Sequence, residues 1–276
     1  MTVIAHLSDP HLLEHGFERR SRREEVRLRY LNWGRAMNPA TRVQRLRDAL
    51  IRAWAARPDH LLITGDLTEE GTTAQFELAA EILSESPFAP GQVTLVPGNH
   101  DIYHRRDAWL RALEGPLRPW APTSDAHTAV ELRGVTVFPI STVKGQSWLF
   151  SYGFMGTDPL RRIADVAGDA GGRGDAVVVP QHHAPVPLKS RFMQHFDGLR
   201  DHHEVSALLR KAPNLTVIHG HVHERRADAV EPTRGAQVYA VGAVFDDADA
   251  VRFYRAEGGV IEAMEEDPQP YADAAE

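Results

Sequence analysis

Five short apolar runs in this chain each stop at a small group of Asp, Asn or His residues. Val3 to Ser8 stops at Asp9-Pro10-His11, and His60 to Thr64 at Gly65-Asp66. Gln92 to Val96 leads through Pro97 into Gly98-Asn99-His100-Asp101. Ala176 to Pro180 stops at Gln181-His182-His183, and Leu215 to His219 at Gly220-His221-Val222-His223. Runs of this length and composition predict buried strands. Between them, Val43 to Ala56 carries Val43, Leu46, Leu50, Ile51 and Trp54 at helical spacing, and Thr72 to Leu83 is a second predicted helix. Alternating strand and helix predicts a layered α/β fold, whose sites assemble at the carboxyl ends of the strands.

Further along, Thr128 to Leu132 and Val135 to Ile140 predict a hairpin around Arg133-Gly134. Asp158 to Ala167 predicts a helix and Gly171-Gly172-Arg173-Gly174 a flexible loop. Val205 to Arg210 reads as helical, and Ala236 to Val241 and Ala250 to Tyr254 as strands. We expect one domain over residues 1–261, with 14–42 as an inserted helical cap or flap. The acidic tail from Glu262 to Glu276, with two prolines, is expected to be poorly ordered.

The chemistry of the strand ends is restricted by what the chain lacks. There is no cysteine, so any metal must be held by nitrogen and oxygen, which suit manganese, iron, zinc or magnesium. The 15 histidines make nitrogen ligands plentiful. In extended backbone, residues i and i+2 point the same way, which would let Asp9 and His11, or His221 and His223, reach one ion together. Turn and cap preferences account for Asp and Asn at loop starts but not for histidines at these places. His6 and His219 lie inside apolar strands and read as hydrogen-bonded core residues; His202 and His203 read as surface residues. The net charge of −7, without a visible basic track, argues against nucleic acid as a partner. The amino terminus lacks the basic start and apolar run of a signal peptide, and no stretch approaches membrane-span length, so a cytoplasmic location is expected.

Taken in order, Asp9-x-His11, Gly65-Asp66, Gly98-Asn99-His100-Asp101, His182 and Gly220-His221-x-His223 resemble the calcineurin-like metallophosphoesterase superfamily, over residues 3 to about 225. Asp-Pro-His-Leu at the start and His-His-x-Pro-Val-Pro near 182 most resemble bacterial class III cyclic nucleotide phosphodiesterases and glycerophosphodiesterases. That subgroup's usual second histidine is followed by two prolines; here Ala184 takes the first place. The resemblance implies a four-layer αββα sandwich, two mixed sheets flanked by helices, with a dinuclear metal site at the strand ends. One divalent ion would be held by Asp9, His11, Asp66 and His223, the second by Asp66, Asn99, His182 and His221, Asp66 bridging. A metal-bridging hydroxide would then attack phosphorus. His100 would face the substrate as a donor, oriented by Asp101. His183 could support a ligand or meet the substrate.

The implied activity is hydrolysis of a small phosphodiester, a cyclic nucleotide or a glycerophosphodiester. Two alternatives stand beside it: a pyrophosphatase or phosphatase acting on a lipid-linked or nucleotide-sugar substrate, and a metal-binding regulatory module without activity. The pyrophosphatase reading draws on residues 14–42, where eight arginines face four glutamates. Val26, Tyr30, Trp33 and Met37 recur at helical spacing there. The segment packs either as a flap with solvated arginines or as a cap that brings Tyr30 and Trp33 to an anionic substrate or a lipid headgroup. Oligomeric state is not encoded in any motif.

Overall fold

Two-residue alternation along the strands decides the layering. A computed structural model of the chain describes residues 1–17, 21–33, 35–126, 128–145, 149–230 and 237–265. In chain order the elements are β1 (Thr2–Leu7), α1 (Arg22–Leu31), α2 (Pro39–Ala55), β2 (His60–Thr64), α3 (Thr73–Glu85) and β3 (Val93–Val96). Then come α4 (Ala108–Glu114), α5 (Ala121–Ser124), β4 (Val130–Leu132), β5 (Val135–Val137), α6 (Thr157–Arg173), β6 (Ala176–Gln181) and α7 (Arg191–Phe196). The last are α8 (His202–Lys211), β7 (Leu215–His219), β8 (Arg226–Asp228), β9 (Val238–Ala240), β10 (Arg252–Glu257) and β11 (Val260–Ala263).

The strands form two mixed sheets, ordered β11-β10-β1-β2-β3 and β4-β5-β6-β7-β9-β8. The central strands β1, β2 and β3 are parallel, as are β5, β6, β7 and β9; the outer strands pair antiparallel. Alternate residues of each central strand enter different cores. Ile4 and Leu62 of the first sheet meet Val178 and Ile218 of the second in the layer between the sheets. Leu7, Leu61 and Ile63 face the other way, against Leu46, Leu50 and Phe76 of α2 and α3. Val177, Val179 and Val217 pack on Ile163, Ala167 and Leu209 of α6 and α8. The result is the four-layer αββα sandwich. Strands buried on both faces explain why the sequence reads as unbroken apolar runs.

The helices start where their caps dictate. Asn38 accepts from the amide of Thr41 with Pro39 in the first turn of α2, Thr72 caps α3, and Ser21 with Glu24 forms a capping box on α1. Three expectations are corrected. First, α6 continues through Gly171 and Gly172 to Arg173, because Ile163, Ala167 and Ala170 keep its inner face buried; it ends at Gly174, whose φ of 77° is a left-handed cap. Second, His202 is buried, held by the Leu199 carbonyl, and only its neighbour His203 is exposed. Third, Glu262 and Ala263 belong to β11, with Glu262 opposite Arg255; residues 266–276 of the expected tail lie outside the described residues, as do 18–20, 34 and Ala236. Among the described residues, no helix is long and apolar enough to cross a membrane.

Candidate metal centre

The loops after β1, β2, β3, β6 and β7 converge at one edge of the sandwich, and their backbone is strained where they meet. Among the described residues, six non-glycine residues have positive φ, and five of them are Asp9 (54°), His11 (49°), Asp66 (48°), His221 (68°) and His223 (54°). A left-handed residue costs roughly 1–2 kcal/mol. Such strain persists where surrounding contacts over-determine the backbone, and it gathers at functional sites. The contacts are present: the Asp9 amide donates to the Gly65 carbonyl (3.1 Å), that of His11 to Asp66 (2.9 Å) and that of Gly220 to His182 (3.2 Å). Asp9 and His11 therefore converge through left-handed turns, not through the extended geometry expected from their spacing. Two glycines admit the close approach. A β-carbon on Gly98 would overlap the Asp66 carboxylate, and one on Gly220 would overlap Ser8 and Asp9.

The side chains gather into two overlapping groups. Asp9, His11 and His223 place ligand atoms within 4.8 Å of one another, as do Asp9, Asp66 and His182. His223 Nε2 lies 3.4 Å from Asp9 Oδ1, and His11 Nε2 lies 3.7 Å from Asp66 Oδ2. On the other side, His182 Nε2 is 3.4 Å from the same Asp66 Oδ2, 3.1 Å from Asn99 Oδ1 and 3.2 Å from His221 Nδ1. All seven expected ligand residues meet here, with Asp66 shared.

Each neighbour fixes which atom is offered. His182 Nδ1 donates to the Thr64 carbonyl (2.8 Å), leaving the Nε2 lone pair facing the group. His221 Nε2 donates to the Asp197 carbonyl (2.9 Å), which turns Nδ1 inward. The Asn99 amide nitrogen donates to Tyr103 Oη (2.6 Å), so its oxygen points to the centre. Such outer contacts set tautomer and orientation in metal sites. Asp9 Oδ1 and both ring nitrogens of His11 are buried without hydrogen-bond partners, a cost that a cation on the Asp9 oxygen and on the one unprotonated nitrogen of His11 would lower.

The electrostatics favour positive charge at the same point. For His182 burial opposes protonation, yet Asp66 and Asp9 outweigh it and raise the imidazole to about 9. Burial likewise opposes protonation of His100 and His223, and the neighbouring carboxylates raise both. Asp9 is itself buried, but His223 and His182 hold it well below the ordinary carboxylate range. Burial, with neighbouring cations, lowers His11 and His221, so these two stay neutral and keep a lone pair. Carboxylates that attract positive charge beside neutral imidazoles, with no thiolate, fit divalent cations held by N/O ligands.

Two residues that sequence reasoning passed over support this set. Glu69 is fully buried, with Oε2 3.6 Å from His11 Nδ1 and Oε1 3.4 Å from His100 Nδ1. Arg42 neutralises it at 2.5 Å and also donates to the His11 carbonyl (2.7 Å). Thr-Glu-Glu after a strand end was the available signal for Glu69; nothing local marks Arg42.

The expected pairing of His100 with Asp101 is corrected. His100 Nδ1 donates to the Glu69 carbonyl (2.7 Å). The Asp101 carboxylate instead accepts from the amides of Leu67, Thr68 and Gly98 and from the Thr68 hydroxyl. Residues 100–102 form a tight 3₁₀ turn, which sends adjacent side chains in different directions. Asp101 thus ties the β2 and β3 loops together; burial and Asp66 raise its carboxyl to about 6.

His183 is likewise spent elsewhere. Its Nε2 donates to the Ser151 carbonyl (2.7 Å) and its Nδ1 accepts from the Thr142 hydroxyl (2.8 Å). It lies near His182 and His221, but neither nitrogen is free for an ion or a substrate. Trp33 is also corrected. It is 87% exposed and outside the cleft, because α1 ends at Leu31 and the helical spacing does not reach it. The residues that α1 and the turn behind it bury are Leu28 and Asn32. Tyr30, half-exposed, does line the cleft.

That cleft, about 320 Å³, is lined by His11, Asp66, Asn99, His100, His221 and His223 on the ligand side. Tyr30, Leu31 and Arg35 form the wall contributed by the inserted segment, and Tyr103, Leu149 and Ser151 another. A second cavity of about 160 Å³ lies beyond His221 and Asp197, which line both; Leu188, Met193 and Val222 give it an apolar side.

Comparison with known proteins agrees with this geometry. The model of the calcineurin-like phosphoesterase family matches residues 2–225. A probable cyclic nucleotide phosphodiesterase of Rhodococcus erythropolis is 28% identical over 222 residues, 80% of this chain but 64% of the relative's length. Among solved structures, a dimetal phosphatase from Danio rerio superposes with a TM-score of 0.65 at 14% identity, covering 95% of this chain and 98% of that one. A purple acid phosphatase from yellow lupin seeds superposes with a TM-score of 0.54 at 10% identity, covering 96% of this chain and 46% of that one. These two share the fold. With two mixed sheets, five ligand-bearing strand ends and a family match over most of its length, the chain belongs to the calcineurin-like phosphoesterase family.

Proposed function

We propose that this protein is a phosphodiesterase acting on small diesters, a cyclic nucleotide or a glycerophosphodiester among them. Asp9, His11, Asp66 and His223 would hold one divalent cation, and Asp66, Asn99, His182 and His221 the second. When bound, such a pair supplies Lewis acidity toward a phosphoryl oxygen and acidifies water at neutral pH. The rest is the work of the chain's own groups. Because the Nδ1 proton of His100 is committed to the Glu69 carbonyl, its Nε2 carries a proton only in the imidazolium form. Asp66 and Glu69 raise that form's stability against the cost of burial. His100 can therefore donate to a phosphoryl or leaving-group oxygen in the cleft.

The observation that carries the diester reading is the cleft of about 320 Å³, which leaves the ligand side along two walls, Tyr30 with Leu31 and Tyr103 with Leu149. A phosphoryl group at the ligands would have one wall for each ester arm, and a monoester would leave one of them uncovered. The name of the Rhodococcus relative supports the same reading. The test is metal-reconstituted protein assayed with bis(p-nitrophenyl) phosphate, p-nitrophenyl phosphate, cyclic AMP and glycerophosphodiesters. We expect higher kcat/KM on at least one diester than on the monoester; preference for the monoester over every diester contradicts the proposal.

A further inference from the structure

Three arginines surround the ring of Phe245, at 4.6 Å (Arg42), 5.5 Å (Arg35) and 6.0 Å (Arg45) from its centroid. That ring stands edge-on to His11 at 5.9 Å, so the arginines form the layer just outside the ligands. Two of them are committed. Arg42 is bound by Glu69, the His11 and Ala36 carbonyls and Asn32 Oδ1. Arg45 donates to the Phe245 carbonyl.

Arg35 is different. Its Nη1 is buried without a hydrogen-bond partner, and its side chain lines the cleft beside His11 and His223. A buried, unpaired guanidinium nitrogen is expensive, and two neighbouring cations add repulsion. The fold nevertheless holds this side chain at the cleft. Asn32 is pinned by Arg42 (2.5 Å) and by its own bond to the Leu28 carbonyl (2.8 Å), and the Arg35 amide donates to the Asn32 carbonyl (2.8 Å). Arg42 thus braces the turn that holds Arg35 over the cleft.

We propose that Arg35 determines specificity by binding a second phosphoryl group of the substrate, one link away from the phosphoester under attack. A guanidinium matches a phosphate with two parallel donors, and its place outside the ligand shell suits a neighbouring anion better than the group at the ligands themselves. The substrate class is then a diester of pyrophosphate, in which the second phosphate meets Arg35 and its organic group passes Tyr30. This rests on the diester reading above and shifts its preferred member from the single-phosphate diesters named there to diesters with a second phosphoryl group.

The experiment compares kcat/KM for a pyrophosphate diester, ADP-ribose, with that for a single-phosphate diester, the p-nitrophenyl ester of thymidine monophosphate. Arg35→Gln should lower the ratio of the two by about tenfold or more, through KM, the loss of one charge-assisted contact. Arg45→Gln, which removes a cation from the same ring without facing the cleft, should leave the ratio unaltered. An unchanged ratio in Arg35→Gln, or an equal fall in Arg45→Gln, overturns the proposal. The diester reading fails separately, by preference for p-nitrophenyl phosphate over every diester, in which case the wild type need hydrolyse neither compound. Calorimetric binding of inorganic pyrophosphate then decides for Arg35: weaker binding by Arg35→Gln supports it, and equal binding overturns it.

Discussion

The ligand shell and the wall facing it meet in one cleft but are built on different terms. The shell comes from the ends of β1, β2, β3, β6 and β7, held by backbone bonds between loops and by five left-handed residues. The wall comes from the end of α1 and the turn after it, held by the Arg42 guanidinium, by the Arg27–Glu70 ion pair (2.7 Å) and by Leu28 packed on Leu13 and Phe17. The shell can move only if two sheets move, whereas the wall rests on a few side-chain contacts from one helix and one turn. In the proposed function the rigid part carries the chemistry, and the part built from fewer contacts carries substrate choice.

The largest effect expected from breaking this comparison is at their junction. Arg42→Ala leaves Glu69 buried and unpaired, which costs about 3–5 kcal/mol. The melting temperature should fall accordingly, and Arg42→Lys should recover part of it. A loss below 1 kcal/mol in denaturant unfolding would show that the wall does not hang on Arg42.

His182 in the shell and His60 outside it should titrate in opposite senses. His182 is raised to about 9 by the carboxylates, whereas His60, in the same sandwich but bonded only to Thr94 Oγ1 (2.8 Å), is lowered by burial to about 4. A folded-state value below the ordinary 6.5 means that the folded protein binds fewer protons than the unfolded chain. His60 therefore withdraws no stability above pH 6.5, and its contribution is lost as pH falls toward 4, by about 3 kcal/mol. Chemical denaturation of the metal-free protein across that range should show a loss to which the other buried, lowered histidines add, and His60→Gln should make it shallower. Equal slopes in the two proteins would contradict the assignment.

The smallest effect distinguishes the two aromatics of the inserted segment. Tyr30→Ala should raise KM several-fold, since Tyr30 lines the cleft, and Trp33→Ala should change stability by no more than about 0.5 kcal/mol and leave KM as it was. A Trp33 effect as large as that of Tyr30 would place the cleft wall further out.

The same contrast explains what the sequence could disclose. His60–Thr64 and Leu215–His219 were legible to the residue, because strands buried on both faces leave continuous apolar runs ended by Gly-Asp or Gly-His. The seven candidate ligands, whose side chains the fold brings together, were legible because each adjoins such a run. Glu69, Arg42 and Arg35 were not, since their roles arise from pairing across 27 residues of chain and around Phe245. Trp33 misled because helical spacing carries no mark of where Asn32 ends the helix. Asp101 misled because adjacency to His100 says nothing about a 3₁₀ turn.

The central claim is that Asp66 joins two cation sites into one hydrolytic centre. It is tested most directly by metal content and diester hydrolysis measured together on the wild type and Asp66→Ala. We predict two equivalents of divalent metal per wild-type chain, loss of metal from the variant, and a fall in hydrolysis on the order of a thousandfold. Full hydrolysis by Asp66→Ala, or wild-type hydrolysis that survives complete removal of metal by chelator, would contradict the account.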